Sequence, residues 1–111
     1  MGATDSSDLL PGTLDLLILK TLTRGAQHGY GIARHLETVS NDVLQVGESS
    51  LYPALRRLRL NGWVKASWGV SENKRRARFY ALTPAGRKQL QRERHEFGRM
   101  ILAIHKVLGA T

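Results

Sequence analysis

Cationic side chains carry most of the chemistry that this sequence could perform. Lys74, Arg75, Arg76 and Arg78 place four cations within five residues, and Arg56 stands earlier in the chain. Guanidinium groups bind phosphate oxygens through paired hydrogen bonds, and cations this close together repel one another unless an anion neutralises them. We therefore predict that this cluster contacts a polyanion. The alternative is a solvated surface turn.

Residues for catalysis or metal binding are scarce. The 111-residue sequence has no cysteine, which excludes disulfides, thiolate zinc ligands and a cysteine nucleophile. It also lacks the P-loop, HExxH and GxSxG patterns. The histidines do not form an i,i+3 or i,i+4 pair that would chelate a metal: His28, His35, His95 and His105. We expect no enzymatic activity, no metal and no cofactor.

The net charge of +8 is concentrated in one part of the chain. Residues 1–55 carry three basic and six acidic side chains, whereas residues 56–99 carry thirteen basic and three acidic ones. A surplus confined to less than half of the chain favours a cationic face, which is typical of proteins that bind nucleic acids. No apolar run reaches the roughly 20 residues that cross a bilayer, and no signal-peptide pattern occurs. We therefore expect a cytoplasmic protein.

The spacing of apolar residues predicts the elements that hold these cations. Helices are predicted over 13–24, 30–39, 48–61 and 84–108. The last one begins at Thr83-Pro84, where a hydroxyl N-cap precedes a proline. Two alternating runs, 63–70 and 75–82, flank a polar turn and predict a β-hairpin. The predicted fold class is mainly α with a two-stranded β wing.

Three short helices followed by a hairpin is the element order of a winged helix-turn-helix. The third helix of such a domain enters the major groove of DNA, which is roughly 12 Å wide, and the hairpin lies along the neighbouring phosphates. We predict a flexible segment over 1–8, a winged helix-turn-helix domain over 9–83 and a dimerisation helix over 84–111. Pro53 requires that the third helix begin a few residues before it or open its first turn.

The first and last helices are more apolar than one small core requires. The first helix is apolar on two sides, which fits either a central core helix or packing on a partner subunit. Apolar residues of the last helix recur at intervals of 7, 4, 3 and 4, as in a coiled-coil seam: Leu90, Phe97, Ile101, Ile104 and Leu108. This seam, with Leu14 and Ile18 of the first helix, is the predicted contact between two copies of the chain.

Four segments of the sequence resemble the PadR family of transcriptional regulators. They read GTLDLLIL from Gly12, HGYGI from His28, SLYPALRRL from Ser50 and YALTPAG from Tyr80. The length is similar to that of the short subgroup, in which a single carboxy-terminal helix mediates dimerisation. The resemblance implies a homodimeric bacterial regulator, usually a repressor, that binds an inverted repeat in DNA and releases it on binding a small molecule or sensing stress.

The predicted DNA-binding residues lie on the second and third helices and on the hairpin. They are Tyr30, Ser49, Ser50, Tyr52, Pro53, Arg56, Lys74, Arg75, Arg76 and Arg78. Early residues of a recognition helix reach base edges and later ones reach phosphates. The resemblance adds Tyr30 through its His-Gly-Tyr motif. Packing of the ring is the alternative for Tyr30 and Tyr52, and helix capping is the alternative for Ser49 or Ser50.

The resemblance also implies a ligand cavity between the subunits. Phe97 and Met100, together with Leu14 and Ile18, would line it and bind a small hydrophobic or aromatic effector, unless Phe97 is an ordinary residue of the seam. Two other functions fit the charge. One is a structural RNA-binding protein, which would bind RNA as well as DNA without a palindromic preference. The other is a protein-interaction adaptor, whose hairpin arginines would be dispensable for DNA affinity.

Overall fold

The helices and strands follow one another in the order that the sequence predicts. The structure is a computed structural model that describes Thr4–Asp5 and residues 12–109. Within this part of the chain the helices are α1 (Thr13–Thr21), α2 (Gly29–Val39), α3 (Glu48–Leu60) and α4 (Pro84–Val107). The strands there are β1 (Thr4–Asp5), β2 (Gln27–His28), β3 (Leu44–Gln45), β4 (Val64–Val70) and β5 (Arg76–Leu82). The predicted flexible segment 1–8 lies outside the described residues, apart from β1.

The hairpin of β4 and β5 belongs to a larger sheet than predicted. The described residues form an antiparallel sheet in the order β2-β5-β4, and β2 pairs with Phe79 and Tyr80 of β5. A second, two-stranded sheet joins β1 in parallel to β3. The fold is therefore mainly helical with a three-stranded sheet, and the two-stranded wing is its extended part. We use "wing" for β4, β5 and the turn 71–75 between them.

Helix α1 is the centre of the hydrophobic core. Leu14, Leu16, Ile18 and Leu19 are buried, Leu17 is half-buried, and the helix contacts α2, α3 and α4. Of the two readings left open by the sequence, the central core helix is the one that the structure has. Leu14 and Ile18 are buried inside their own chain, so the predicted dimer contact does not include them. Val39, the last residue of α2, is exposed.

Side-chain and backbone caps define where the helices begin. Thr83 Oγ1 accepts a hydrogen bond of 3.0 Å from the Gly86 amide, as its position before Pro84 predicts, and it donates one of 2.7 Å to the Gly62 carbonyl. His28 Nδ1 accepts one of 3.0 Å from the Gly31 amide at the start of α2. Thr83 thus fixes α4 to the turn before β4, and His28 fixes α2 to the sheet.

Helix α4 packs on the body of the protein through its residues up to Phe97. Gly86 and Leu90 are buried, and Phe97 is half-buried against the core. A Cβ on Gly86 would lie 2.0 Å from the Trp63 carbonyl oxygen, so only glycine allows this close approach. Leu90 is therefore a core residue rather than part of a dimer contact. The helix continues from Met100 to Val107 with exposed apolar side chains.

Candidate nucleic-acid interface

Helix α3 turns one side to the core and a polar stripe to solvent. Leu51, Ala54, Leu55 and Leu58 are buried. The exposed stripe consists of residues spaced by three, four and seven positions: Ser49, Tyr52, Pro53 and Arg56. Residues at this spacing lie on one face of a helix. Four of the five residues predicted on the recognition helix thus share one solvent-facing side, and Ser50 lies half-buried beside it.

The start of α3 leaves both serines available. The helix begins at Glu48, and its N-cap is Gly47, which makes no side-chain cap. Ser49 and Ser50 are inside the first turn, so the capping role considered for them does not apply. Pro53 lies inside the helix, and its missing amide leaves the Ser49 carbonyl without its helical donor.

Tyr52 combines packing with exposure. Its ring lies against Gly29 at the start of α2, where a Cβ would come within 2.8 Å of the hydroxyl oxygen, yet 45% of the residue is exposed. Burial, followed by the nearby Glu48 and Tyr80, raises the pKa of the Tyr52 hydroxyl, which therefore remains a neutral donor at physiological pH. Tyr52 therefore packs against Gly29 and is also partly exposed, and its hydroxyl lies close to the sheet.

Arg57 shows why neighbouring arginines of α3 differ in role. Its Nη2 atom lies 2.8 Å from Asp15 Oδ1 on α1, and Nε contacts the second carboxylate oxygen at 3.5 Å. This bidentate pair connects the recognition helix to the central helix, and the Asp15 carboxylate neutralises the charge of Arg57. Arg56, one position earlier, is exposed and makes no ion pair within residues 12–109.

The wing has one face covered by cations and an indole ring. The register pairs Trp68 with Arg78 and Val70 with Arg76, so these four side chains share a face with buried Val64 and Tyr80. The Arg76 guanidinium carbon lies 4.3 Å from the centroid of the Trp68 ring, and that of Arg78 lies 5.9 Å away. Trp68 is 60% exposed and holds both guanidinium groups by cation–π contacts.

The turn of the wing presents the remaining two predicted cations. Lys74 adopts a left-handed backbone conformation with φ of 59°, and its amide donates to the Ser71 carbonyl at 2.9 Å. Arg75 closes the turn through its carbonyl, which accepts from the Ser71 amide at 2.8 Å. Among residues 12–109, none of the four predicted wing cations forms an ion pair. Their charges are therefore not neutralised by a carboxylate of the described residues.

Tyr30 is exposed at the start of α2, close to the wing. Its ring stacks at 6.5 Å on that of His28, and 67% of the residue is accessible. With Ser71, Asn73, Arg75 and Arg76, among others, these two side chains line a pocket of about 330 Å³ under the tip of the wing. The packing alternative for Tyr30 is limited to this one aromatic contact. The hydroxyl remains accessible to a ligand.

An apolar groove separates α1 from the second half of α4. It has a volume of about 490 Å³ and is lined by Gly12, Thr13, Leu16, Glu93, Glu96, Phe97, Met100 and Ile104. Phe97 and Met100 line this groove, but Leu16 rather than Leu14 or Ile18 forms the wall from α1, because those two are buried in the core. Burial is the main cause that raises the pKa of the Glu93 carboxyl.

Trp68 is the functional candidate that sequence reasoning missed. Its alternation with Val64 and Ala66 indicates only a strand, and β4 extends beyond the core at this point. The hairpin register contained the missing signal, since it places arginines directly across from Trp68 and Val70. The described residues contain no cluster of metal-ligating side chains and no helix long and apolar enough to cross a membrane.

The comparison with protein families identifies the group to which this architecture belongs. Residues 18–92 match the family described as transcriptional regulator PadR-like. The chain belongs to this PadR-like family of transcriptional regulators. Its members are regulators rather than enzymes, and membership supports DNA-binding regulation as the function of the winged helix-turn-helix described above.

Solved structures of other family members have the same fold. A transcriptional regulator from Clostridium thermocellum is 32% identical, with 86% of this chain and 92% of that chain covered and a TM-score of 0.78. A PadR family transcription regulator from Clostridium difficile is 25% identical, with 88% and 100% covered and a TM-score of 0.74. Both agree with the fold class predicted from the sequence.

A longer relative contains a similar segment. An uncharacterized 37.1 kDa protein in a transposon of Streptomyces fradiae is 41% identical over 85 residues. These residues are 77% of this chain but 23% of that protein, so this chain spans about a quarter of the relative's length. A segment similar to this chain is thus also found within a larger polypeptide.

Proposed function

We propose that this PadR-like regulator is a repressor that binds an inverted repeat in DNA as a homodimer and acts in the cytoplasm. The observation that carries the proposal is the pairing of two exposed surfaces on one domain. The stripe of α3 supplies hydroxyls and Arg56 to the major groove, and the wing supplies unpaired cations to the phosphates beside it.

The indole of Trp68 makes the wing more than a charged turn. By holding Arg76 and Arg78 against its ring, it reduces the conformational freedom that these side chains lose on binding phosphate. Basic turns without such a platform are usually only solvated. The arrangement therefore favours phosphate binding over a general contribution to solubility.

Dimerisation through α4 would place two such domains on one DNA duplex. The apolar side chains beyond Phe97 are exposed in the single chain and fit a helix that packs on its own copy: Met100, Ile101, Ile104 and Leu108. We propose that the two α3 helices then lie about 34–36 Å apart, one turn of B-DNA. The residues proposed for the dimer contact are therefore Phe97, Ile101, Ile104 and Leu108. Leu14, Ile18 and Leu90 are left out because they are buried in the core of their own chain.

The groove between α1 and α4 supports a further part of the proposal. Its apolar wall of Leu16, Phe97 and Met100 suits a small aromatic effector. Such a ligand would act by favouring one arrangement of the two subunits over another. Titration calorimetry with planar aromatic compounds tests this step, and the absence of binding across the panel would remove it.

Electrophoretic mobility shifts separate the proposed function from its two alternatives. The assay is run at two salt concentrations. At both, the protein should retard DNA of its own promoter more strongly than unrelated DNA of equal length, and RNA should compete only weakly with the promoter DNA. If RNA were retarded as strongly as the promoter DNA, the structural RNA-binding protein would be favoured instead. If replacing the wing arginines left the retardation of DNA unchanged, the protein-interaction adaptor would be favoured.

A further inference from the structure

A single carboxylate lies among the cations of residues 56–92. Glu72 is the only acidic residue between 56 and 92, and it lies in the turn of the wing. A carboxylate at this place opposes phosphate binding through its charge. Its position therefore needs a physical reason, and the reason is found in the side chain that it faces.

His28 turns a buried ring nitrogen toward Glu72. The distance from His28 Nε2 to Glu72 Oε2 is 3.5 Å, and the two side chains are 7% and 76% exposed. Nε2 has no hydrogen-bond partner among the described residues. A buried donor that leaves water without finding an acceptor destabilises the fold, and a small movement of the exposed Glu72 side chain, whose carboxylate is 3.5 Å away, would supply that acceptor.

The other ring nitrogen fixes the chemistry of this contact. His28 Nδ1 accepts the Gly31 amide, so the proton of the neutral imidazole lies on Nε2. The ring cannot rotate freely, because Phe79 packs edge-on at 5.3 Å and Tyr30 stacks on it. Nε2–H is therefore a fixed donor at the start of α2. The backbone amide of Glu72 is hydrogen-bonded to the Glu72 carboxylate and is the main cause that lowers the pKa of this carboxyl, followed by His28. Glu72 therefore remains an ionised acceptor.

We propose that His28 and Glu72 form a latch that positions the wing for DNA. The latch joins the turn 71–75 to the start of α2, and thereby sets the distance between the wing cations and the recognition helix before DNA arrives. His28 and Glu72 are positioning residues, since neither has to touch the DNA itself. The effect of the latch on DNA affinity rests on the proposed DNA-binding function, whereas the contact between His28 and Glu72 does not.

Two substitutions at one position separate the latch from simple repulsion. Glu72→Asp keeps the negative charge but is one methylene too short to reach His28. Glu72→Gln removes the charge and keeps a carbonyl acceptor at the same reach. For the latch, the Asp variant should bind operator DNA about three- to tenfold more weakly, the loss of one hydrogen bond, and the Gln variant should not bind more weakly.

Repulsion alone gives the opposite pattern. In that case Glu72→Asp would leave affinity unchanged and Glu72→Gln would strengthen binding, and this result would overturn the proposal. Glu96→Gln on α4 removes the same charge away from the wing and serves as the matched control for net charge.

A double-mutant cycle with His28 shows whether the two side chains act together. His28→Asn keeps a capping acceptor for the Gly31 amide, since asparagine is a favoured N-cap, but it lacks the distal nitrogen. In this background Glu72→Asp should have no further effect on affinity. Independent effects of the two substitutions would refute the latch, and circular dichroism verifies that each variant is folded.

Measurements without DNA distinguish failure of the latch from failure of the proposed function. In the free protein the His28 ring should give ¹⁵N signals of the Nε2–H tautomer, and the Ser71 and Lys74 amides should be protected from exchange. Glu72→Asp should speed exchange at these amides about three- to tenfold, whereas Glu72→Gln should not. Unchanged exchange in the Asp variant would overturn the latch even if DNA binding is confirmed.

Discussion

Replacing Arg76 and Arg78 together with glutamine tests the wing most directly. Both guanidinium groups lie over Trp68, and neither is paired with a carboxylate within residues 12–109. Each is therefore available to neutralise one phosphate. Glutamine keeps a polar side chain of moderate length on the strand, so the β4–β5 register and the fold should persist.

The expected loss follows from counterion release. Each neutralised phosphate contributes a slope of about 0.9 to the fall of log K with log salt, so the double variant should lose about 1.8 units of slope. Because this contribution vanishes near about 1 M salt, the variant should bind about thirtyfold more weakly at about 0.15 M salt and about three- to fourfold more weakly at about 0.5 M.

Fluorescence anisotropy with labelled operator DNA over a series of salt concentrations measures both quantities. The matched control replaces two exposed arginines of α4, Arg92 and Arg99, and therefore changes the net charge equally. The control should keep the slope of the unmodified protein. Equal slopes for the two double variants would refute a specific role of the wing and leave only general electrostatic attraction.

Three further outcomes follow from burial and charge. Ile101→Glu with Ile104→Glu should convert a dimer to a species of one chain's mass in analytical ultracentrifugation, whereas an unmodified protein that already sediments as one chain would contradict the α4 contact. Leu58→Ala should lower the free energy of unfolding by about 2–5 kcal/mol in urea, against about 0.5 kcal/mol or less for exposed Leu60→Ala, and equal losses would contradict the core assignment. Because burial raises the pKa of Glu93, the folded state binds its proton more tightly than the unfolded chain, and stability falls as pH rises past the ordinary value of 4.5. Glu93→Gln should therefore be more stable than the unmodified protein at pH 7 and no more stable near pH 3, and a destabilised variant at pH 7 would contradict this sign.

The sequence predicts the helices well because each has a clear local signal. Thr83-Pro84 marks the start of α4 through a cap and a fixed backbone angle, and the apolar spacing of α3 places Leu51, Leu55 and Leu58 inward as observed. These features depend on neighbours within one or two helical turns. Local propensity and long-range packing therefore agree in these segments.

The remaining features depend on partners far away in the chain. Strand β2 has two residues and exists only because β5 offers a free edge, so no alternation of its own predicts it. Leu14, Ile18 and Leu90 have the spacing of an interface, but the same spacing serves a core, and only tertiary packing decides between the two. Trp68 and Glu72 owe their roles to contacts across the hairpin and with α2.

The short helix α1 links two distant surfaces through consecutive residues. Asp15 is bonded to Arg57 of α3, and its neighbour Leu16 forms a wall of the groove against α4. A rigid helix of nine residues cannot move one of these side chains without the other. A molecule that displaced α1 on entering the groove would therefore also act on the Asp15–Arg57 pair that holds α3, because no loop separates the two contacts.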